Sequence, residues 1–286
     1  MFKGAYTALI TPFKNGRVNY EKLGELIEFQ IENDIDGIVI CGTTGESATL
    51  TDREKKKVIK YAVETVNGRV PVIAGTGSND TRHSIELSKY AERVGVDGIL
   101  VVTPYYNKST QKGLIEHYTA IANSVTCPII LYNVPSRTGV NILPDTVAKL
   151  SQISNIIGIK EASNNFSQIL ELISKVPNSF SVISGNDDTI VPLLSLGGSG
   201  VISVLSNVFP KDVHTICEAY FNGDVKYAKD LQLKHAKLIK LLFKEVNPMP
   251  VKDALNILGF DVGECRLPLT QVLEDTHELL KAEILK

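Results

Sequence analysis

Lys160 closes a short apolar run, Ile156-Ile157-Gly158-Ile159-Lys160, with Glu161 and Ala162 following. Side chains alternate along a strand, so Lys160 is expected on the face of Ile156 and Gly158, with Glu161 on the opposite one. An ammonium on an inward face is desolvated, which disfavours its charged form and lowers its pKa. The neutral amine so supplied is the species that attacks a carbonyl carbon to form an imine. Taken alone, the residue is equally read as a lysine paired with Asp or Glu at a strand end. Tyr132 ends a second run, Ile129-Ile130-Leu131-Tyr132, ahead of Asn133-Val134-Pro135. A phenol at the rim of the neighbouring strand can shuttle a proton during imine formation; by itself it reads first as a packed rim aromatic. A third segment, Cys41-Gly42-Thr43-Thr44-Gly45-Glu46-Ser47, combines two glycines, two hydroxyls and exposed backbone N–H groups, donors suited to a carboxylate. The same composition also suits a plain tight turn.

These groups need elements to hold them. Short Val/Ile-rich runs recur between longer amphipathic stretches, the alternation of a parallel α/β fold. Eight strands are predicted: Ala5–Ile10, Gly37–Cys41, Pro71–Ala74, Gly98–Thr103, Ile129–Tyr132, Ile156–Lys160, Ser181–Ser184 and Gly200–Val204. A helical pattern follows each, as in Tyr20–Glu32 and Arg82–Val94. Eight such units over roughly 220 residues match a closed (β/α)8 TIM barrel. A doubly wound sheet is disfavoured, because the first strand ends Ile10-Thr11-Pro12-Phe13 without a G-x-G-x-x-G turn. Asp36-Gly37-Ile38-Val39-Ile40 is echoed by Asp97-Gly98-Ile99-Leu100-Val101, as repeated units would be. In such a barrel the active site lies at the C-terminal strand ends, where Lys160, Tyr132 and Thr43-Thr44 all fall. Gly197-Gly198-Ser199-Gly200 precedes the eighth strand and is read as a turn at the opposite end. The Thr51-Asp52-Arg53-Glu54 capping box starts a helix and needs no functional explanation.

Past residue 223 the strand pattern stops. Three helical stretches, 225–245, 250–258 and 270–285, form a C-terminal appendage (224–286) to the barrel (1–223), divided by Asn247-Pro248-Met249-Pro250 and Arg266-Leu267-Pro268. Its stripe of Ala228, Leu231, Ala236, Leu238, Ile239 and Leu242 is expected to pack on the barrel or another subunit rather than bind a cofactor.

Composition narrows the partners. The 286 residues include 30 Lys+Arg against 32 Asp+Glu, a net charge of −2 without long like-charge blocks, so nucleic acid and anionic membranes are unexpected and a small molecule is the expected ligand. No apolar run approaches the ~18 residues of a membrane span, and Met1-Phe2-Lys3-Gly4 begins no signal sequence, so a cytoplasmic protein is expected. Cys41, Cys127, Cys217 and Cys265 lack C-x-x-C spacing and read as reduced, packed thiols. His83, His117, His214, His235 and His277 are scattered without metal-ligand spacing, and no metal site is expected.

Gly42-Thr43-Thr44-Gly45-Glu46, Tyr132-Asn133-Val134-Pro135-Ser136-Arg137-Thr138-Gly139 and Gly158-Ile159-Lys160-Glu161-Ala162 resemble the signatures of the dihydrodipicolinate synthase family. The likeness runs from Gly4-Ala5-Tyr6-Thr7 through the helical tail, and three motifs in order are far more specific than one. It implies an (α/β)8 barrel and an imine-forming lyase mechanism on pyruvate. By this resemblance Lys160 is the Schiff-base residue, Thr43 and Thr44 hold the pyruvate carboxylate, and Tyr132 is the central acid–base group. It further implies a proton relay with Thr43 and Tyr106, the latter supplied by a neighbouring subunit of a dimer of dimers, and a pyruvate pocket lined by Gly185 and Ile202. Arg137 fits members that take L-aspartate 4-semialdehyde, whose carboxylate a guanidinium grips in bidentate fashion. The implied product is 4-hydroxy-tetrahydrodipicolinate, a lysine and diaminopimelate precursor. Because a protonated imine is itself the electron sink, no metal or PLP cofactor is implied. Related aldolases acting on 2-keto-3-deoxy sugar acids or N-acetylneuraminate are the alternative, and a catalytically silent barrel is the alternative of another class.

In lysine-inhibited members the inhibitor sits among residues matched here by Ser47, Ala48, Asn79 and Tyr105. Asp52 and Lys55, however, stand where sensitive members often carry histidines, and His83 where they carry a glutamate. Losing that carboxylate removes an attraction for a cation, so weak or absent lysine feedback is expected.

Overall fold

The computed structural model describes residues 2–286. The eight expected apolar runs are eight parallel strands: β1 (Gly4–Ala8), β2 (Gly37–Ile40), β3 (Val72–Gly75), β4 (Gly98–Val102), β5 (Ile129–Asn133), β6 (Ile156–Glu161), β7 (Ser181–Ser184) and β8 (Gly200–Ser203). Each pairs with its sequence neighbours, and β8 pairs with β1 to close the barrel. The fold is thus the expected (β/α)8 barrel, with strand ends within two residues of expectation.

Both faces of these strands are buried, which is why they read as continuous apolar runs rather than as alternating ones. Ile38, Ile40, Val72, Ala74, Ile99, Val101 and Leu131 point outward into the cluster shared with the helices. Tyr6, Ala8, Val39, Ile73, Leu100, Ile130, Ile183 and Ile202 point inward and fill the barrel as a second cluster. Each large aliphatic side chain so buried contributes about 1.5–3 kcal/mol. The repeated Asp-Gly pair has a structural cause. Asp36 ahead of β2 accepts the Ala5 N–H of β1 at 2.7 Å, and Asp97 ahead of β4 accepts the Val72 N–H of β3 at 2.8 Å. Each carboxylate ties down a backbone donor of the preceding strand at the barrel floor. Gly197–Gly200 is a turn at that same end, where Ser199 bonds Val182 and Gly4 through its backbone.

Three details differ from expectation. A bulge interrupts β6: Ile129 of β5 faces Ile156, but Ile130 faces Gly158, so Ile157 is extra. Ile156 therefore packs in the outer cluster and Ile157 against the inner one, and Lys160 does not share the face of Ile156. The extra residue shifts the alternation by one beyond it and re-aims the side chains toward the strand end. Second, a small antiparallel ladder, Phe13–Lys14 with Arg17–Val18, was not expected. Its turn is Asn15-Gly16, both left-handed at φ 52° and 72°, an available hairpin signal. Third, the tail has four helices, Val225–Lys234, Ala236–Leu242, Met249–Ile257 and Glu274–Ile284. The first expected stretch breaks at His235, whose ring bonds Asp212 at 2.6 Å and packs on Phe209. The tail shares the outer core through Leu231, Leu238, Leu242, Val251, Leu255 and Leu280.

Candidate active site

The C-terminal ends of β2, β5, β6 and β7 open into a cleft of about 540 Å³ that contains Thr43, Thr44, Tyr132, Arg137, Lys160 and Gly185. Lys160 and Tyr132 are directly opposed across the β5–β6 ladder. The lysine Nζ lies 4.6 Å from the centre of the Tyr132 ring, and both residues are buried. Burial lowers the Lys160 pKa to about 8, Asp187 opposing the shift and Arg137 adding to it. The expected depressed amine is therefore present, with desolvation as its main cause. Burial raises the Tyr132 phenol, while a hydrogen bond with Thr43 and the charge of Arg137 pull it back down. Tyr132 thus remains a protonated donor near neutral pH, linked to a hydroxyl that can pass a proton on.

Gly185 follows β7 and leaves room for the lysine. A Cβ there would stand 2.6 Å from the Ala162 Cβ and 3.1 Å from the Lys160 Cε. Thr44 is buried, and its Oγ1 accepts from Asn247 Nδ2 at 3.0 Å. Arg137 sits in the helical turn Pro135–Thr138 at the mouth, exposed, its Nη2 donating to the Asn247 carbonyl at 3.2 Å. Asn247 joins the two sides of the cleft, and its own Oδ1 is buried without a partner. The arrangement can form an imine deep in the pocket and hold anionic groups at Thr43-Thr44 and Arg137, two positions set apart.

Not every expected residue is gathered here. Tyr106 is 92% exposed, with a left-handed backbone (φ 69°), and does not line the cleft of its own chain. Ile202 lies in the barrel interior opposite Tyr6, while Val204 takes the lining position. Ser47 and Ala48 begin the short turn after Glu46. Asn79, before the helix Thr81–Arg93, accepts from Asn107 Nδ2 at 3.0 Å, and the Tyr105 carbonyl accepts the Asn107 N–H. His83 on that helix bonds Asp52 at 2.9 Å. The other histidines have structural partners, His117 with Thr81, His214 with Asp36 and Glu218, His235 with Asp212 and His277 with Asp253. Among the described residues no group of three His, Cys, Asp or Glu is placed to hold a metal.

Other lining residues were not anticipated from sequence. Ala236, Ile239, Lys240, Phe243 and Asn247 bring the tail over the cleft, so part of the apolar stripe lines the site, Ile239 while also packing in the core. From sequence, Asn247 reads only as punctuation before Pro248. Asp187, two residues past Gly185, is buried, accepts the Val204 and Leu205 N–H groups at 3.0 Å through Oδ2, and leaves Oδ1 unpartnered. An acidic residue at the end of β7 meets the strand-end rule that selected Lys160, and that signal was available.

The family model for the Dihydrodipicolinate synthetase family matches residues 1–286. The chain belongs to this family. A family relative from Acetivibrio thermocellus, named 4-hydroxy-tetrahydrodipicolinate synthase, is 59% identical over 98% of this chain and 96% of its own length. The crystal structure of dihydrodipicolinate synthase from Aquifex aeolicus superposes with a TM-score of 0.97 at 48% identity, covering 98% of this chain and 96% of that one. A chloride-inhibited family synthase from Acinetobacter baumannii, complexed with pyruvate, gives 0.97 at 44% identity over 100% and 98%.

Proposed function

We propose that this chain condenses pyruvate with L-aspartate 4-semialdehyde to 4-hydroxy-tetrahydrodipicolinate, the product for which its relatives are named. The observation that carries the reading is the buried Lys160, lowered to about 8, opposed in register to Tyr132 and beside Thr43-Thr44. The neutral Nζ attacks C2 of pyruvate, and loss of water gives a protonated imine, with Thr43 and Thr44 holding the carboxylate. Tyr132, relayed through Thr43, moves the protons of this step and of C3 deprotonation to the enamine. Enamine C3 attacks the aldehyde carbon, whose oxygen takes a proton to become the hydroxyl. The semialdehyde amino group then adds to C2 and expels the lysine amine, closing the ring. The imine supplies the electron sink from the substrate itself, so no step calls on a resident metal or cofactor.

Arg137 at the mouth supplies the guanidinium for the semialdehyde carboxylate. Tyr106 completes the relay from a neighbouring copy, which accounts for a tyrosine 92% exposed at the end of a barrel strand; the assembly is a homotetramer built as a dimer of dimers. The enzyme works in the cytoplasm; no helix among the described residues is long and apolar enough to cross a membrane. Lysine feedback is weak or absent, because His83 already engages Asp52 and offers no carboxylate to an ammonium. Unchanged turnover at millimolar lysine is expected, and inhibition below 1 mM would refute it.

The test is turnover of pyruvate with a panel of aldehydes. Cyclic product from L-aspartate 4-semialdehyde, with sugar aldehydes and N-acetylmannosamine inert, is expected. Preference for a neutral sugar aldehyde would replace the acceptor while leaving the imine chemistry intact.

A further inference from the structure

The turn that presents Thr43 and Thr44 is held in an uncommon backbone. Cys41 and Glu46, at its two ends, are both left-handed, at φ 53° and 52°, a conformation that residues other than glycine adopt in only a few per cent of cases. Within the turn, the Glu46 N–H bonds the Thr43 carbonyl at 3.0 Å, so the orientation of Glu46 and that of the threonines are linked through one short loop. The Glu46 side chain points away from the cleft into the junction with the tail. Lys252, on the tail helix Met249–Ile257, donates to its Oε1 at 2.7 Å, and the Arg266 backbone N–H donates to its Oε2 at 2.8 Å. Both charged side chains are almost wholly buried, 2% exposed for Lys252 and 1% for Glu46. Lys252 also donates to the Glu264 carbonyl at 2.9 Å. Arg266 reaches on to Glu54, Thr49 and Gly16, and both cations lie 4.3 Å from the Phe13 ring.

A fully buried ion pair is a poor device for stability alone. Desolvating both charges offsets most of their attraction, and apolar residues of similar volume commonly serve as well or better. What such a pair supplies is registry, since neither charge tolerates separation from the other. Here the registry is between the C-terminal helices and the turn bearing Thr43-Thr44. The same tail delivers Asn247 directly onto Thr44 Oγ1. We propose that the Glu46–Lys252 pair, backed by Arg266, is a positioning strut through which the C-terminal helices set the Thr43–Thr44 turn for the pyruvate carboxylate. This rests on the assignment of Thr43 and Thr44 to that carboxylate. Glu46 and Lys252 are positioning residues in this scheme; neither lines the cleft nor touches substrate.

The test compares Glu46→Gln/Lys252→Met with Thr44→Val. The double variant removes both charges at nearly constant volume and keeps an acceptor for the Arg266 N–H. Melting temperature, kcat and KM for pyruvate, and the rate of borohydride trapping of pyruvate are read for each. The strut predicts a double variant that melts near wild type yet loses roughly 10- to 100-fold in kcat/KM for pyruvate, mostly as a raised KM. Thr44→Val with raised KM beside a double variant with wild-type KM overturns the strut and spares the carboxylate assignment. Thr44→Val with wild-type KM removes that assignment and the strut with it. If the double variant does not fold, Lys252→Arg, which keeps the charge but displaces the contact, takes its place. A folded Lys252→Arg with raised pyruvate KM supports the strut, one with wild-type KM overturns it, and failure of both to fold assigns the pair to stability alone.

Discussion

An ordinary lysine presents about one neutral amine in three thousand at pH 7, whereas one lowered to about 8 presents roughly one in ten. In the proposed mechanism, that difference of some 300-fold is what burial contributes to imine formation, before any orientation is counted. It also fixes a sign. Lowering the pKa means that the amine deprotonates as pH rises through about 8. The rate of imine formation on the free enzyme should therefore climb nearly tenfold per unit below pH 7 and level off above pH 8. Stopped-flow or quench-trapping with pyruvate across pH 6–9.5 measures it; a rate still rising tenfold per unit at pH 9.5 would show an unperturbed lysine. The inward face and burial of Lys160 were legible in the sequence, but the run alone suited an ion-paired lysine equally well, and only the family resemblance singled out imine chemistry. The side chains that tune it were less legible. Asp187 and Arg137 act on Lys160 through space, from beyond the end of β7 and from a turn beyond β5; the strand-end rule reaches Asp187, whereas Arg137 stood out only through the family resemblance.

Among the elements, the strands were easy to read and the irregularities were not. Period-2 alternation assumes an unbroken ladder, and the extra residue at Ile157 in β6 breaks it. The lysine still faces inward, but with Gly158 rather than Ile156, because the bulge falls between Ile156 and the catalytic end. The turn after β7 has less tolerance than its sequence suggests. Gly185→Ala places a methyl 2.6 Å from the Ala162 Cβ and 3.1 Å from the Lys160 Cε, so something must shift. With the lysine the mobile member, kcat should fall by roughly a hundredfold while the melting temperature changes little. Steady-state kinetics and a thermal melt check this, and wild-type kcat would mean that Ala162 gives way instead. The helical tail illustrates the opposite limit of sequence reading. Its amphipathic stripe was evident, but its break at His235 depends on Asp212, on a different helix, and its place over the cleft depends on Asn247 meeting Thr44, 203 residues away. Local propensity carries no information about either contact.

At the scale of the whole molecule, the barrel supplies Lys160, Tyr132, Thr43 and Thr44 to the cleft and the tail lines its other side, with one hydrophobic cluster running through both. The exposed Tyr106 is the feature that the single chain does not use. If a neighbouring copy supplies it, sedimentation should give at least twice the mass of one chain, and Tyr106→Phe should lower kcat by roughly a hundredfold without unfolding the protein. A fully active monomer with an indifferent Tyr106→Phe would remove the shared relay. This part of the site was legible only through family resemblance. No property of Tyr106 within its own chain, neither burial nor a hydrogen bond, points to catalysis.

The account stands or falls on a covalent bond between Lys160 and pyruvate. Borohydride reduction in the presence of pyruvate, followed by peptide mass analysis of wild type and of Lys160→Ala, tests it directly. The expected result is one reduced pyruvate adduct per chain, on the peptide containing Lys160, and none in the variant together with loss of turnover. An adduct elsewhere, or turnover retained by Lys160→Ala, would contradict the mechanism.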